Sequence, residues 1–214
     1  MDIEKDPKTR KQENNTNKSG FYGDWNVFAA ADFKTGLDAL QALSGIKNEQ
    51  LDNLVIESHG MGGDDPAMKL NDNNSMGYQN FLYNSDLARI NGDINGFCNE
   101  SQAKAAQLQG LAGLVKDNGK LILAICDIGK GKAGVDFANN IATITGNRLN
   151  VFLPRGWVEP IIGSDVKTSQ FNAWVEGFNV RANPGWLQVT PQGTVNNVSS
   201  IQINRTGDPI HLTK

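Results

Sequence analysis

At 214 residues, with 39% hydrophobic side chains, 23 glycines and 7 prolines, the chain is long enough to bury a sizeable core as one turn-rich globular domain. A formal net charge of -3 and the lack of a basic patch exclude a general binder of nucleic acid or of anionic membrane surfaces. No apolar run approaches the roughly 20 residues that span a bilayer, and no hydrophobic signal core follows Met1, so the expectation is no membrane partner and a chain that is either cytosolic or a piece of a longer exported one.

Residues 1–20 are polar and rich in lysine and asparagine, with Ile3 the one apolar side chain between Met1 and Gly20. They read as a disordered linker, and the folded domain is expected over residues 21–214. Trp25 to Ala31 reads as a first strand and Asp32 as the N-cap of a helix. In that helix Phe33, Leu37 and Leu40 fall at i, i+4 and i+7, and Gly45 is expected to end it. A second strand runs from Leu54 to Ser58. From Gly60 to Glu100 no periodicity persists, and Gly, Asn and Asp surround scattered anchors such as Phe81, Leu82, Leu87, Ile90 and Phe97. A loop of that length predicts a flap or pocket wall. Asn71-Asp72-Asn73-Asn74 lacks the alternating ligand spacing of a calcium loop and reads as a solvated turn.

Ser101 is placed to cap a helix carrying Leu108, Leu111, Ala112 and Val115, closed by Asn118-Gly119. Leu121 to Ile125 is an unbroken apolar run, as in a strand buried on both faces, and Cys126 ends it. Ala133 to Thr145 predicts a helix with Phe137, Ile141 and Ile144 on one side and Gly146 as its stop. Asn150 to Leu153 is the next strand, ended by Pro154. A helical turn at Phe171 to Phe178 and strand-like pieces at Trp186 to Thr190 and Ser199 to Asn204 follow. Strands alternating with helices imply an α/β fold, a three-layer α/β/α sandwich around a mainly parallel sheet.

Open α/β sheets bind ligands at the carboxyl ends of their strands. One apolar strand here ends at His59 and another at Cys126. A neutral imidazole can take the thiol proton or hold it as an ion pair, leaving the thiolate that attacks. The backbone N–H groups of Gly60 and Cys126 are the natural oxyanion donors. Gly62, Gly63, Gly129 and Gly131 would let the chain turn tightly around a bound peptide. Two cysteines and two histidines without paired spacing give no zinc site, and neither a metal nor another cofactor is expected. A Cys98–Cys126 disulfide is open arithmetically, but a thiol at a central strand end is better used free; His211, beside Pro209, reads as incidental. The bland alternative makes Cys126 a small core filler and His59 structural. Their matching placement, with a glycine directly after His59, favours catalysis.

An apolar strand followed by Ser58-His59-Gly60, and another followed by Cys126-Asp127-Ile128-Gly129, resembles the caspase-like (clan CD) cysteine peptidases. The segment Leu121 to Val158, with its helix and Val151-Phe152-Leu153-Pro154-Arg155-Gly156-Trp157, is similar to bacterial members: self-processing peptidase domains of large toxins, and domains at the C-terminal ends of polymorphic, repeat-bearing secreted proteins. The resemblance covers roughly Trp25 to Thr190. It implies a caspase-like fold, a thiol protease with His59 as base or ion-pair partner and Cys126 as nucleophile, Gly60 and Cys126 as oxyanion donors, and no metal in the catalytic step. It also implies a peptide or protein substrate, autoprocessing and secretion within a larger protein. A monomer is expected.

Several relatives that cut after arginine or lysine carry an acidic residue two before the cysteine, where this chain has Ala124, and the arginines of a caspase aspartate pocket are not placed in this sequence. Asp32 matches the place of a pocket carboxylate in some relatives, with capping as its alternative role. Loops after strand ends would wall the pocket, giving Asp32, Gly60 to Asp65, Asp127 to Lys130 and Arg155 to Val158. Trp157 would pack a peptide or serve as a core aromatic; Asp127 adjoins the nucleophile with its side chain turned from the thiol. Two further readings stand beside this one. The first is an inactive caspase-like binding or scaffold module. The second is a small-substrate thiol hydrolase, which the lack of a Gly-x-Ser-x-Gly or Gly-x-Cys-x-Gly elbow disfavours.

Overall fold

The computed structural model describes residues 32–47, 50–71, 77–92, 99–160, 178–180, 185–199 and 201. The linker over residues 1–20, the strand expected at Trp25 to Ala31, Asp72 to Asn74, Cys98, the helical turn before Phe178, the stretch from residue 202 and His211 lie outside the described residues.

Helix α1 (Phe33–Lys47) begins where Asp32 predicts, because the Asp32 carboxylate accepts the Thr35 N–H at 2.7 Å and satisfies an orphan donor of the first turn. The helix runs through Gly45 instead of ending there; one interior glycine costs only about 1 kcal/mol. Strand β1 (Leu51–Glu57) follows. The stretch that shows no period in the sequence then forms β2 (Gly60–Met61), β3 (Ala67–Lys69), a single 3-10 turn, β4 (Phe81–Tyr83) and helix α2 (Asn84–Ile90). The three strands make a separate antiparallel sheet in the order β2-β3-β4. Strands this short cannot display an alternation.

Helix α3 (Asn99–Gly113) starts before Ser101, so the predicted cap lies inside it, where its hydroxyl donates to the buried Asp86 carboxylate. Strand β5 (Val115–Ala124) starts ahead of its apolar run. Asn118, at φ 61, and Gly119 therefore lie within this strand, near a register shift, and do not close the helix. Helix α4 (Gly131–Ile144) stops as expected, with Gly146 at φ 77 just beyond it. Strand β6 (Asn150–Pro154) precedes a short antiparallel pair, β7 (Val158–Pro160) with β8 (Phe178–Val180), and then β9 (Trp186–Val189) and β10 (Val195–Val198) close the described chain. The last described strand forms because Gly193, at φ 77, turns the chain straight back onto β9, and most of the expected Ser199 to Asn204 piece lies outside the described residues.

The central sheet has the order β1-β5-β6-β9-β10, with β1, β5 and β6 mutually parallel and β9 antiparallel to both its neighbours. The protein is thus α/β with a mixed, mainly parallel sheet. Alternate strand residues Leu54, Ile56, Leu121, Leu123, Val151 and Leu153 join Phe33, Leu40, Leu87, Leu108, Phe137 and Ile141 in one buried cluster, so all the described helices share that core. Ile122, Phe152 and Trp186 form a second cluster from the opposite strand face, with Val55 and Val180 packed on it. Burial from both sides explains the unalternating run of β5: Leu121, Ile122, Leu123 and Ile125 are all fully buried, each contributing about 1.5–3 kcal/mol. Among the described residues no helix is long and apolar enough to cross a membrane.

Candidate active site

The site grows from the pairing of β1 with β5. Their parallel ladder places Leu54 opposite Leu121, Ile56 opposite Leu123 and Glu57 opposite Ala124. Leu54 and Ile56 face the helix-bearing core, and buried Ser58 donates its hydroxyl to the Lys69 carbonyl at 2.8 Å. The exposed His59 follows, two residues past the end of β1. Leu121 and Leu123 of β5 lie in the same helix-bearing core, as does Ile125 just beyond the strand, and the half-buried Cys126 follows it. The ladder ends at Glu57 opposite Ala124, so His59 and Cys126 each lie two residues past the last pair, and the Ile125 N–H turns back to the Leu123 carbonyl at 2.9 Å.

Close packing continues where the ladder stops. A Cβ on Gly60 would lie 2.2 Å from Ile125 Cγ2, 2.9 Å from Ile128 Cγ2 and 3.0 Å from the Ala67 carbonyl oxygen, so only glycine fits. One on Gly62 would lie 3.0 Å from Asp127 Cβ. The turn after His59 and the turn after Cys126 are thus in direct contact. Lys69 donates its N–H to the His59 carbonyl at 2.9 Å, which makes Gly60 and Met68 a non-hydrogen-bonded pair of the β2–β3 ladder. In such a pair the Gly60 N–H points away from β3.

The cysteine turn is held by backbone bonds. Asp127, at φ 59, donates its N–H to the Gly156 carbonyl at 3.0 Å, and Gly129 donates to the Pro154 carbonyl at 2.9 Å. Aspartate is among the few residues that adopt this left-handed conformation readily. A Cβ on Gly134 would stand 2.3 Å from the Gly129 carbonyl carbon, so helix α4 starts tight against this turn because its first turn carries a glycine. Cys126 is a half-buried free thiol that donates to the Val158 carbonyl at 3.8 Å. That contact directs the thiol toward β7. Trp157, immediately before β7, is 61% exposed and is not a core aromatic. Asp127 packs beside Gly62. Asp32 is taken up at the start of α1, with Asn71 bridged to its backbone.

Other groups were not legible beforehand. Glu57, the last residue of β1, pairs with Ala124 of β5, and its Oε2 is buried. Asp86, fully buried, accepts from the hydroxyls of Ser101 and Tyr78 and from the Tyr83 N–H at 3.0 Å, with the buried Lys104 ammonium at 3.6 Å. Burial by itself would push the Asp86 carboxyl up, but the bonds from Ser101, Tyr78 and Tyr83, with Lys104 beside them, outweigh it and hold the group below its usual range. Lys104 also lies 3.8 Å from the centre of the Tyr78 ring. This network ties α2 and the turn before β4 to α3 and so braces the small sheet that holds Gly60. Nothing marks these residues in the sequence, because a single Asp in an Asn-Ser-Asp stretch looks like any helix start. Among the described residues no group of three or more His, Cys, Asp or Glu is placed to hold a metal ion.

No family model matches the chain, and no curated protein or solved structure does either.

Proposed function

We propose that the protein is a cysteine endopeptidase in which Cys126 attacks a peptide carbonyl and His59 takes and returns the proton. The observation that carries this reading is the convergence of two turns, His59-Gly60 and Cys126-Asp127, at the carboxyl ends of adjacent parallel strands. In the acylation step the Cys126 thiolate forms a bond to the scissile carbonyl carbon. The N–H groups of Gly60 and Cys126 receive the developing oxyanion, and His59 delivers the thiol proton to the leaving amine. Water, deprotonated by the same imidazole, then releases the acyl group. Asp127 and Trp157 stand at the mouth of this site, and Trp157 offers a flat apolar surface to a peptide.

In this reading the fold is a caspase-like three-layer sandwich, with a further layer over Ile122, Phe152 and Trp186. The near-complete burial of those residues supports it. The natural reaction is self-processing within a larger secreted protein, and the basic residues Lys8, Arg10, Lys11 and Lys18 offer cleavage points ahead of the domain. The test is mass spectrometry of the incubated protein beside Cys126→Ala and His59→Ala variants, with iodoacetamide labelling of each. Fragments absent from both variants, and Cys126 labelling slowed by His59→Ala, are the expected results. Labelling of Cys126 at an unchanged rate in the His59 variant, with no fragment from the wild type, overturns the reading.

A further inference from the structure

We propose that Lys69 is a positioning residue for His59: its buried ammonium, on the strand next to the His59 turn, keeps the imidazole neutral and so able to take the Cys126 proton. The inference deepens the peptidase reading and rests on it for the use to which the neutral ring is put. Lys69 ends β3 and is bonded to both Ser58 and His59. Its N–H donates to the His59 carbonyl at 2.9 Å, and its carbonyl accepts the Ser58 hydroxyl at 2.8 Å. Gly60 faces Met68 in the β2–β3 ladder, so one step further His59 lies across from Lys69. Residues opposite each other in antiparallel strands stand about 5.5 Å apart at Cα, with their side chains on one face of the sheet. Met68 lies in the helix-bearing core, so Lys69, the next residue of β3, leaves from the other face.

Lys69 is only 8% exposed, and among the described residues no carboxylate forms an ion pair with it. Its partner on β4 is the buried Phe81, so the lysine stem has hydrocarbon beside it. A buried cation without a counter-charge is costly, and charged groups in such surroundings collect at functional sites. When His59 takes up a proton, the imidazolium meets a second positive charge across the strand gap, whereas the neutral ring meets no repulsion. The ammonium therefore favours the neutral ring, and the apolar surroundings carry the repulsion farther than water would. The other ionisable groups on the elements packed around this turn are Glu57 at the end of β1, Asp64 and Asp65 after β2, Tyr83 on β4, and Cys126, Asp127 and Lys130 after β5. The carboxylates among them favour the imidazolium, but Asp65 is taken up by the Ser85 N–H and hydroxyl, both at 2.8 Å. Lys130 is exposed, which leaves Lys69 as the buried cation of this set.

The test is a proton NMR titration of the His59 ring in the full chain, with a His59→Gln spectrum identifying its resonances, for wild type, Lys69→Met and Lys69→Arg. Methionine keeps the length and apolar stem of lysine without the charge, and arginine keeps the charge. In the wild type the ring should titrate below about pH 6.5, the ordinary midpoint of histidine. Lys69→Met should raise that midpoint by about half a unit or more, roughly a threefold gain in proton affinity, and Lys69→Arg should hold it near the wild-type value. A role in packing alone would lower the melting temperature of the variants and leave the midpoint in place. A wild-type midpoint at or above about pH 6.5 overturns the proposal without any variant, so it stays refutable even where Lys69→Met fails to fold. A midpoint unmoved by Lys69→Met in a variant with wild-type melting temperature overturns it as well. A midpoint that follows the charge at position 69, in a chain whose incubation yields no fragment, upholds the action of Lys69 on His59 and overturns the peptidase reading alone.

Discussion

Gly60→Ala tests the contact on which the site depends. The added Cβ would meet Ile125 Cγ2 at 2.2 Å, and it would also stand 2.9 Å from Ile128 Cγ2 and 3.0 Å from a backbone oxygen. Ordinary carbon contacts begin near 3.5 Å, so the turn after His59 must retreat by ~1.3 Å or Ile125 must leave its rotamer. Ile125 and Ile128 are fully buried with little room to yield. Overpacking of this kind costs about 1–3 kcal/mol, which for a chain of this size lowers Tm by about 2–12 °C. The retreat also moves His59 away from Cys126, so alkylation of Cys126 by iodoacetamide should slow several-fold. Gly113→Ala is the control: its Cβ would meet nothing within 4 Å, and both readouts should stay at wild-type values. Gly60→Ala with an unchanged melting temperature and an unchanged alkylation rate would refute the packing of the His59 turn on the Cys126 turn.

Asp86→Ala leaves Lys104 buried without its most enclosed counter-charge and strips an acceptor from Ser101 and Tyr78; a loss of about 3–5 kcal/mol is expected in chemical denaturation. Because the folded carboxyl titrates below its ordinary 3.8, its contribution is present above that pH and disappears as the pH falls through the folded value. The stability gap between wild type and Asp86→Asn should therefore narrow below pH 3.8 and stay wide above it, and a gap that widens in acid contradicts the argument. Asp32→Ala removes a cap worth about 1 kcal/mol, so Tm should fall by about 2–4 °C with the P1 profile of any peptide cleavage unchanged; a raised KM for arginine or lysine peptides alone would return the pocket role to Asp32. Trp157→Ala, at an exposed site, should change stability by less than about 0.5 kcal/mol while raising KM for peptides, and a large loss of stability would show that the ring packs inward.

Local periodicity is a property of the covalent chain, and what it governs was readable in advance. The spacing of Phe137, Ile141 and Ile144 marks α4, the positive-φ Gly146 its end, and the unbroken run before Cys126 a strand buried on both faces. Asp32 caps α1 because capping needs only neighbours in sequence. The ends of the two strands, with a histidine at one and a cysteine at the other, were visible for the same reason. Features built from distant residues were not. Helix α2 and strands β2 to β4 are too short to carry a period, and their stability comes from partners across the fold, such as Ser101 and Lys104 on Asp86. The reversal of β9 within a mainly parallel sheet is decided by packing against β6. The pairing of Glu57 with Ala124 joins residues 67 positions apart (124 less 57). Which pairs face each other depends on a register that one residue of slip would invert, and burial of both strand faces, not the order of the letters, fixes it.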